Sequence, residues 1–282
     1  MGQRIFARHF AALSALALAS ACADRADPPH ADQQADPRPT LLSLNPCLDA
    51  IVVDIASPAQ ILALSHYSFG AGASIAPERA QDFAMTGGTA EEIIAAAPDI
   101  VLASTFIAPA TRAALTRAGL RVETFASPRS VEQSAAQIAS LGEIVGNREK
   151  ARRLAQAISA PLTASPRTAG PSLLLWQPGQ IVAGERTLIA QLIREAGFVS
   201  HAETLGLAQA DHIALEQILA NPPDVLLVAG ESAGQRHPLL EQFQNTLVVD
   251  FDPVLLNCGG PTIAAVRAQL ADVRTAYEFG QP

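Results

Sequence analysis

An internal repeat constrains this chain more than any other feature. Glu91-Glu92-Ile93-Ile94-Ala95-Ala96-Ala97-Pro98-Asp99-Ile100-Val101-Leu102 reads as a helix, a Pro-Asp turn and a buried strand. Glu216-Gln217-Ile218-Leu219-Ala220-Asn221-Pro222-Pro223-Asp224-Val225-Leu226-Leu227 gives the same reading, without a gap, 125 residues later. Proline cannot continue a helix, and aspartate favours the turn that follows it. Residues 100–103 and 225–229 are continuous apolar runs, as expected of strands buried on both faces in a helix-covered parallel sheet. A chain that carries such a unit twice is expected to fold as two similar halves.

Further short apolar runs fit the same scheme. Residues 40–44, 61–64 and 121–125 read as strands in the first half, and residues 172–176 and 246–250 in the second. Thr187 to Ala196 reads as an amphipathic helix closed by Gly197. Between the halves, Val131, Ile138, Leu141 and Val145 keep helical spacing, Gly146-Asn147 breaks it, and Asn147 can cap a second helix carrying Leu154 and Ile158. Strands that alternate with helices argue for an α/β fold with mostly parallel sheets in two lobes joined by a single helical connection. The division expected is an N-terminal lobe at 40–130, a helical linker at 131–171 and a C-terminal lobe at 172–282.

The N-terminus is of a different kind. Arg4 and Arg8 precede the uncharged, mostly apolar run from Phe10 to Ala21, which ends Ala19-Ser20-Ala21-Cys22. A basic start, a short apolar run and small residues at the exit predict a secretory signal peptide over 1–21. Cys22 is a candidate lipidation site, although Ala19 stands where the lipoprotein pattern prefers Leu. Residues 22–39 are rich in Asp, Pro, Gln and Ala, and are expected to be a disordered tether. The whole chain has a net charge of −8, and loss of the leader would remove two arginines and no acid. No Lys/Arg cluster offers a phosphate footprint, which argues against nucleic acid as a partner.

Enzyme motifs are absent: no G-x-S-x-G, no H-E-x-x-H, no P-loop and no G-x-G-x-x-G after a strand, and no resident cofactor is expected. Cys47 and Cys258 can pair across the two halves in an oxidising compartment, or stay unpaired as lining residues. In open α/β folds ligands sit beyond the carboxyl ends of the strands. That rule points to Asn45, Cys47, His66, Tyr67, Thr105 and the adjacent Phe106 in the first half and to Trp176, Gln177 and Gly259 in the second. Trp176, the only tryptophan, offers a flat stacking face or a core residue, and Tyr67 offers a stacking face or a rim residue.

Three motifs carry a family resemblance: Ser43-Leu44-Asn45-Pro46-Cys47 after the first strand, Gly87-Gly88-Thr89-Ala90-Glu91-Glu92 before the Pro-Asp turn, and Cys258-Gly259-Gly260-Pro261-Thr262 before the last helix. In that order and spacing they resemble the cobalamin and ferric-siderophore periplasmic binding proteins, from about Leu41 to about Ala271. The resemblance implies two Rossmann-like lobes, a rigid connecting helix, and a monomer in the periplasm, soluble or lipid-anchored. Such a monomer would capture cobalamin or a ferric siderophore in its cleft and deliver it to an ABC permease dimer. It also implies that Glu91 and Glu216, which fall at the family's docking glutamates, meet permease arginines; each could equally be an acid favoured in a helix's first turn. An alternative is haem, or bare zinc or manganese held by histidines such as His66, His201, His212 and His237.

Overall fold

In the computed structural model, which describes residues 38–70, 77–160, 170–230, 236–256 and 258–280, both copies of the repeat use their aspartate in the same way. Asp99 Oδ2 accepts from the Thr40 amide at 2.8 Å and the Thr40 hydroxyl at 2.7 Å, and the Asp99 amide donates back to Thr40 Oγ1 at 3.0 Å. Asp224 Oδ2 accepts from the Ser172 amide at 2.7 Å and hydroxyl at 2.8 Å, and its own amide donates to Ser172 Oγ at 2.8 Å. The Thr40 amide, then the Thr40 hydroxyl, hold the Asp99 carboxyl below its ordinary range. The turn acid is therefore a clasp. It fixes the start of one strand beside the start of another and so sets the register of the central strand pair in each lobe.

The first lobe follows from that clasp. Its elements are β1 (Leu41–Ser43), α1 (Pro46–Ile55), β2 (Ile61–Ser65), α2 (Pro77–Ala80), β3 (Met85–Thr86), α3 (Ala90–Ala96), β4 (Ile100–Ser104), α4 (Pro109–Arg117) and β5 (Arg121–Phe125). The strands form a parallel sheet in the order β3-β2-β1-β4-β5, with Leu41 paired to Ile100. Each strand runs into a capped helix or a turn. Asn45 caps α1, its side-chain oxygen accepting from the Cys47 and Leu48 amides at 2.9 and 3.2 Å, with Pro46 in the first turn where no amide donor is needed.

Two antiparallel helices, α5 (Val131–Ile144) and α6 (Arg148–Ser159), join the lobes. Asn147 caps α6 through Lys150 and also donates to the Ile55 carbonyl at 3.0 Å, while Gln60 donates to the Val145 carbonyl at 3.1 Å. Gln60 donates as well to the Pro39 carbonyl at 3.0 Å, so the last residue assigned to the tether is already anchored. The opposite ends of the hairpin meet the second lobe, where Gln191 accepts from the Val131 amide at 3.0 Å.

The second lobe comprises β6 (Ser172–Gln177), β7 (Ile181–Val182), α7 (Leu188–Glu195), β8 (Val199–Ser200), α8 (His201–Thr204), β9 (Asp211–His212), α9 (Leu215–Ala220), β10 (Val225–Ala229), β11 (Leu247–Phe251) and α10 (Thr262–Gly280). Its sheet runs β11-β10-β6-β7-β9, with β8 also on β6. Strands β11, β10, β6 and β8 are parallel, and β7 and β9 are antiparallel additions. Arg267 on α10, only 8% exposed, reaches Glu195 of α7 at 2.7 Å and the Ile158 carbonyl at the end of α6.

Alternation along β1 and β6 divides the core. Leu41, Leu102, Leu173 and Leu175 join one large apolar cluster with Ile51, Ile138, Leu141, Ile189 and Ile263, drawn from both lobes and the linker. Leu42 and Val101 pack on the outer face of the first sheet, and Leu174 and Trp176 on the outer face of the second. A disulfide also joins the lobes: Cys47 on α1 is bonded to Cys258, with Cα atoms 5.0 Å apart. Cys47 is thus not an unpaired lining residue. The predicted leader and Cys22 lie outside the described residues.

The bridge closes a loop of 211 residues, which corresponds to about 5 kcal/mol of unfolded-state entropy. Replacing both Cys47 and Cys258 with Ser is expected to cost about 2–5 kcal/mol, read as a lower denaturant midpoint with a steeper slope, because the unfolded chain is released from the cross-link. A double variant as stable as the oxidised wild type would show that the shared core alone fixes the lobes.

Candidate functional site

The carboxyl ends of the strands open onto two adjoining cavities. The larger, about 490 Å³, lies between the lobes: Thr105, Phe106 and residues 126–129 stand on one side, and Gln177, Ile181, Ala183, residues 186–189 and Leu256 on the other. The second, about 420 Å³, sits over the first sheet, lined by Asn45, His66, Tyr67, Thr86, Ser104 and Phe106 among others. Phe106 lines both. It is 85% exposed, and Tyr67 is 57% exposed, which gives the cleft two aromatic faces open to a ligand. The strand-end rule pointed to Thr105 and Phe106 together, and both line the inter-lobe cavity.

The predicted residues divide into three groups. Asn45, His66, Tyr67, Thr105 and Gln177 line the cavities, although the Asn45 side-chain oxygen is committed to capping α1. The His66 and Tyr67 rings lie 3.9 Å apart between centroids. Cys47 is taken by the disulfide, and its partner Cys258 lines the inter-lobe cavity.

Trp176 and Gly259 do not face the cleft. Trp176 is 2% exposed and donates its indole N–H to the Ile213 carbonyl at 3.3 Å. Strand alternation places it with Leu174 on the outer face of the sheet, away from the helical linker, so it is a core residue and not a stacking face. Gly259 is buried against the linker, where a Cβ would come within 2.6 Å of Ser134 Oγ and 2.7 Å of Pro128. It is a close-approach glycine: it lets the chain before α10 settle onto α5, and the Gly260 amide then donates to Ser134 Oγ at 2.7 Å.

The histidines do not converge. His201 is buried and meets the Asn221 carbonyl at 2.9 Å, His212 meets the Gly179 carbonyl at 2.8 Å, and His237 accepts from the Leu239 amide at 3.2 Å. Among the described residues no three His, Cys, Asp or Glu side chains are grouped so that they could hold a metal ion.

Glu91 and Glu216 are exposed, each the second residue of its helix, α3 and α9. The neighbouring Glu92 folds back to accept from the Gly87 amide at 2.9 Å, so only the first acid of the pair points away from the fold's own bonds.

With this geometry in place, comparison with known proteins is decisive. Residues 43–249 match the family described as Periplasmic binding protein. The chain belongs to this family. Its members are extracytoplasmic substrate-binding proteins that work with ABC permeases, and they are not enzymes. No curated protein sequence matches. Among solved structures, the periplasmic heme-binding protein RhuT from Roseiflexus sp. RS-1 superposes with a TM-score of 0.68 at 22% identity, covering 85% of this chain and 98% of that one. A periplasmic heme-binding protein from Pseudomonas aeruginosa gives 0.62 at 24% identity, covering 83% and 92%. The vitamin B12 binding protein BtuF of Vibrio cholerae gives 0.64 at 16% identity, covering 86% and 98%. At these identities the superpositions show the two-lobed fold. Among the described residues no helix is long and apolar enough to cross a membrane.

Beneath the binding-protein cleft lies a group that the sequence reading missed. Asp49 on α1 is 2% exposed, and its carboxylate accepts from the Ser65 amide at 2.9 Å and the Ser68 hydroxyl at 2.7 Å. It thereby pins both ends of the turn that carries His66 and Tyr67. Burial pushes its pKa from 3.8 to about 7, against hydrogen bonds from Ser43, Ser68 and Ser65 that favour the charged form. Between those values the unfolded chain gives up a proton that the folded protein keeps. Stability should therefore fall as pH rises from about 4 to about 7. Asp49→Asn is expected to flatten that fall, measured as denaturant midpoints at both ends of the window. A variant with the wild-type slope would place the pH dependence elsewhere.

Proposed function

We propose that this protein is the periplasmic substrate-binding component of an ABC importer and captures a metal chelate, whether a cobalamin, a ferric siderophore or haem, between its lobes. The observation that carries this reading is the pair of cavities meeting at Phe106, beyond the carboxyl ends of the strands. Their volumes, about 490 and 420 Å³, fall within the range of small-molecule sites. Phe106 and Tyr67 supply flat apolar faces suited to the ring or chromophore of such a ligand. The structurally similar proteins named for haem and vitamin B12 support the same class. A bare zinc or manganese ion lacks a matching set of ligands among the described residues. The protein acts as a monomer, either soluble or held at the membrane through lipid on Cys22.

The test is calorimetric or spectroscopic titration of the purified protein with haem, cyanocobalamin and a set of ferric siderophores. One of these is expected to bind at micromolar affinity or tighter, and Phe106→Ala to weaken it by about tenfold, the scale of a lost aromatic contact. Flat titrations across the whole set would end this reading.

Delivery to the permease rests on Glu91 and Glu216. They occupy equivalent positions of the repeat, so the two lobes present matching acids to a two-fold symmetric partner. Glu91→Arg with Glu216→Arg should leave ligand affinity near wild type and sharply reduce uptake in cells carrying the cognate permease. Normal uptake by the double reversal, at equal protein level, would reduce both residues to acids placed for the helix dipole.

A further inference from the structure

The inter-lobe cavity has a charge that the composition does not predict. The chain carries 27 acidic residues against 19 Lys and Arg. Among the described residues lining this cavity, however, only Arg129 and Arg186 are charged. They come from opposite sides: Arg129 follows β5 at the edge of the first lobe, and Arg186 precedes α7 in the second. Both are exposed. Neither guanidinium has a hydrogen-bond or ion-pair partner among the described residues.

The acids nearest to them in sequence are engaged elsewhere. Glu185 pairs with Arg194 at 2.6 Å, and Glu132 is held below its ordinary pKa chiefly by the Ser130 hydroxyl. Helix α7 also begins in this wall, with Thr187, Leu188 and Ile189 lining the cavity, so its positive end adds to the field. Among the described residues, the adjoining cavity beyond Phe106 is lined by no Asp, Glu, Lys or Arg. The cleft is therefore polarised, cationic between the lobes and neutral over the first sheet, with an exposed aromatic ring at the join.

We propose that Arg129 and Arg186 form a clamp that closes on carboxylates at one edge of the ligand, whose flat apolar body lies against Phe106. The proposal builds on the capture reading above and selects within it. It favours a chelate bearing two acidic groups on one side over one decorated with neutral amides. Guanidinium binds carboxylate through paired donors, and a clamp with one arginine from each lobe makes the ligand itself a bridge between the lobes. The two arginines lie 57 residues apart in sequence and share no motif, so only the fold brings them to one cavity.

The experiment compares ferric protoporphyrin IX, which has two carboxylates, with its dimethyl ester and with cyanocobalamin, on wild type, Arg129→Gln, Arg186→Gln and the double variant. Binding is read by visible absorption at low and high salt. The diacid should bind the wild type more tightly than the diester and weaken as salt rises. Each single variant should lose roughly tenfold for the diacid, the scale of a charged hydrogen bond, and the double variant should bring it down to the level of the diester. Diester binding should not change with either substitution, and both exposed sites should leave the melting temperature unaltered. Equal binding of diacid and diester by the wild type overturns the clamp while the capture reading stands. So does a double variant that holds the diacid as the wild type does, or salt-independent binding of cyanocobalamin as the tightest probe. No binding of any probe by the wild type removes both.

Discussion

Ile51 of the first lobe, Ile138 of the linker, and Leu173, Ile189 and Ile263 of the second lobe belong to one buried apolar cluster, and the relation between the lobes depends on it. Two domains with separate cores and one linker are expected to move freely, because a typical interdomain surface is small and polar. Here the helical hairpin packs on α1 of the first lobe and meets α7 and α10 of the second, and its apolar residues join the shared cluster. The Cys47–Cys258 bond and the Arg267 contacts to α7 and α6 close the same region covalently and electrostatically. Opening the lobes widely would expose part of this shared core to water, so the cleft in front of it has a largely fixed width. Capture by such a protein relies on groups already in place more than on a large closure.

The strand clasps set the floor of that cleft. Asp99 on Thr40 and Asp224 on Ser172 align the starts of the central strands, and their parallel pairing then carries both strands of each pair toward the same carboxyl edge of the sheet. The residues that follow those ends are spent on capping or exposed to solvent. Asn45 caps α1, while the side chains of Thr105 and Phe106 are exposed. Asp49 adds a second layer beneath, buying a fixed Ser65–Ser68 turn at the cost of a buried acid. The site is thus built from the same hydrogen bonds that define the sheet, with the aromatic faces and the two arginines as its variable part.

Much of this was legible in the linear sequence. The repeat about Pro98-Asp99 and Pro223-Asp224 marked two α/β halves, and alternating strands and helices marked parallel sheets, because backbone hydrogen bonding and apolar periodicity are local properties. The break at Gly146-Asn147 marked the linker hairpin, since an Asn cap and a left-handed glycine are local as well. The strand-end rule reached Asn45, His66, Tyr67, Thr105 and Gln177, all of which line the cavities. The clasp partners were also visible in hindsight, for Thr40-Leu41-Leu42 and Ser172-Leu173-Leu174 open the two sheets alike.

Tertiary structure alone decided the rest, and in each case the reason is a choice between faces or partners that spacing does not encode. Trp176 and Gln177 are neighbours at a strand end, yet the pleat sends the tryptophan to the outer core and the glutamine to the cleft. Gly259 looked like a ligand-side turn, and is a close contact of the backbone with the side chains of Ser134 and Pro128. Cys47 and Cys258 were free to pair or not until α1 and the last loop were brought to bonding distance. Arg129 and Arg186 come from different lobes, and only the packing of those lobes about one core gathers their charge around a single cavity. The sequence by itself determined the two-lobed parallel architecture and the side of the sheets on which a ligand would lie. Which side chains face that ligand depended on long-range packing, because burial and proximity arise from the whole chain and not from any one segment of it.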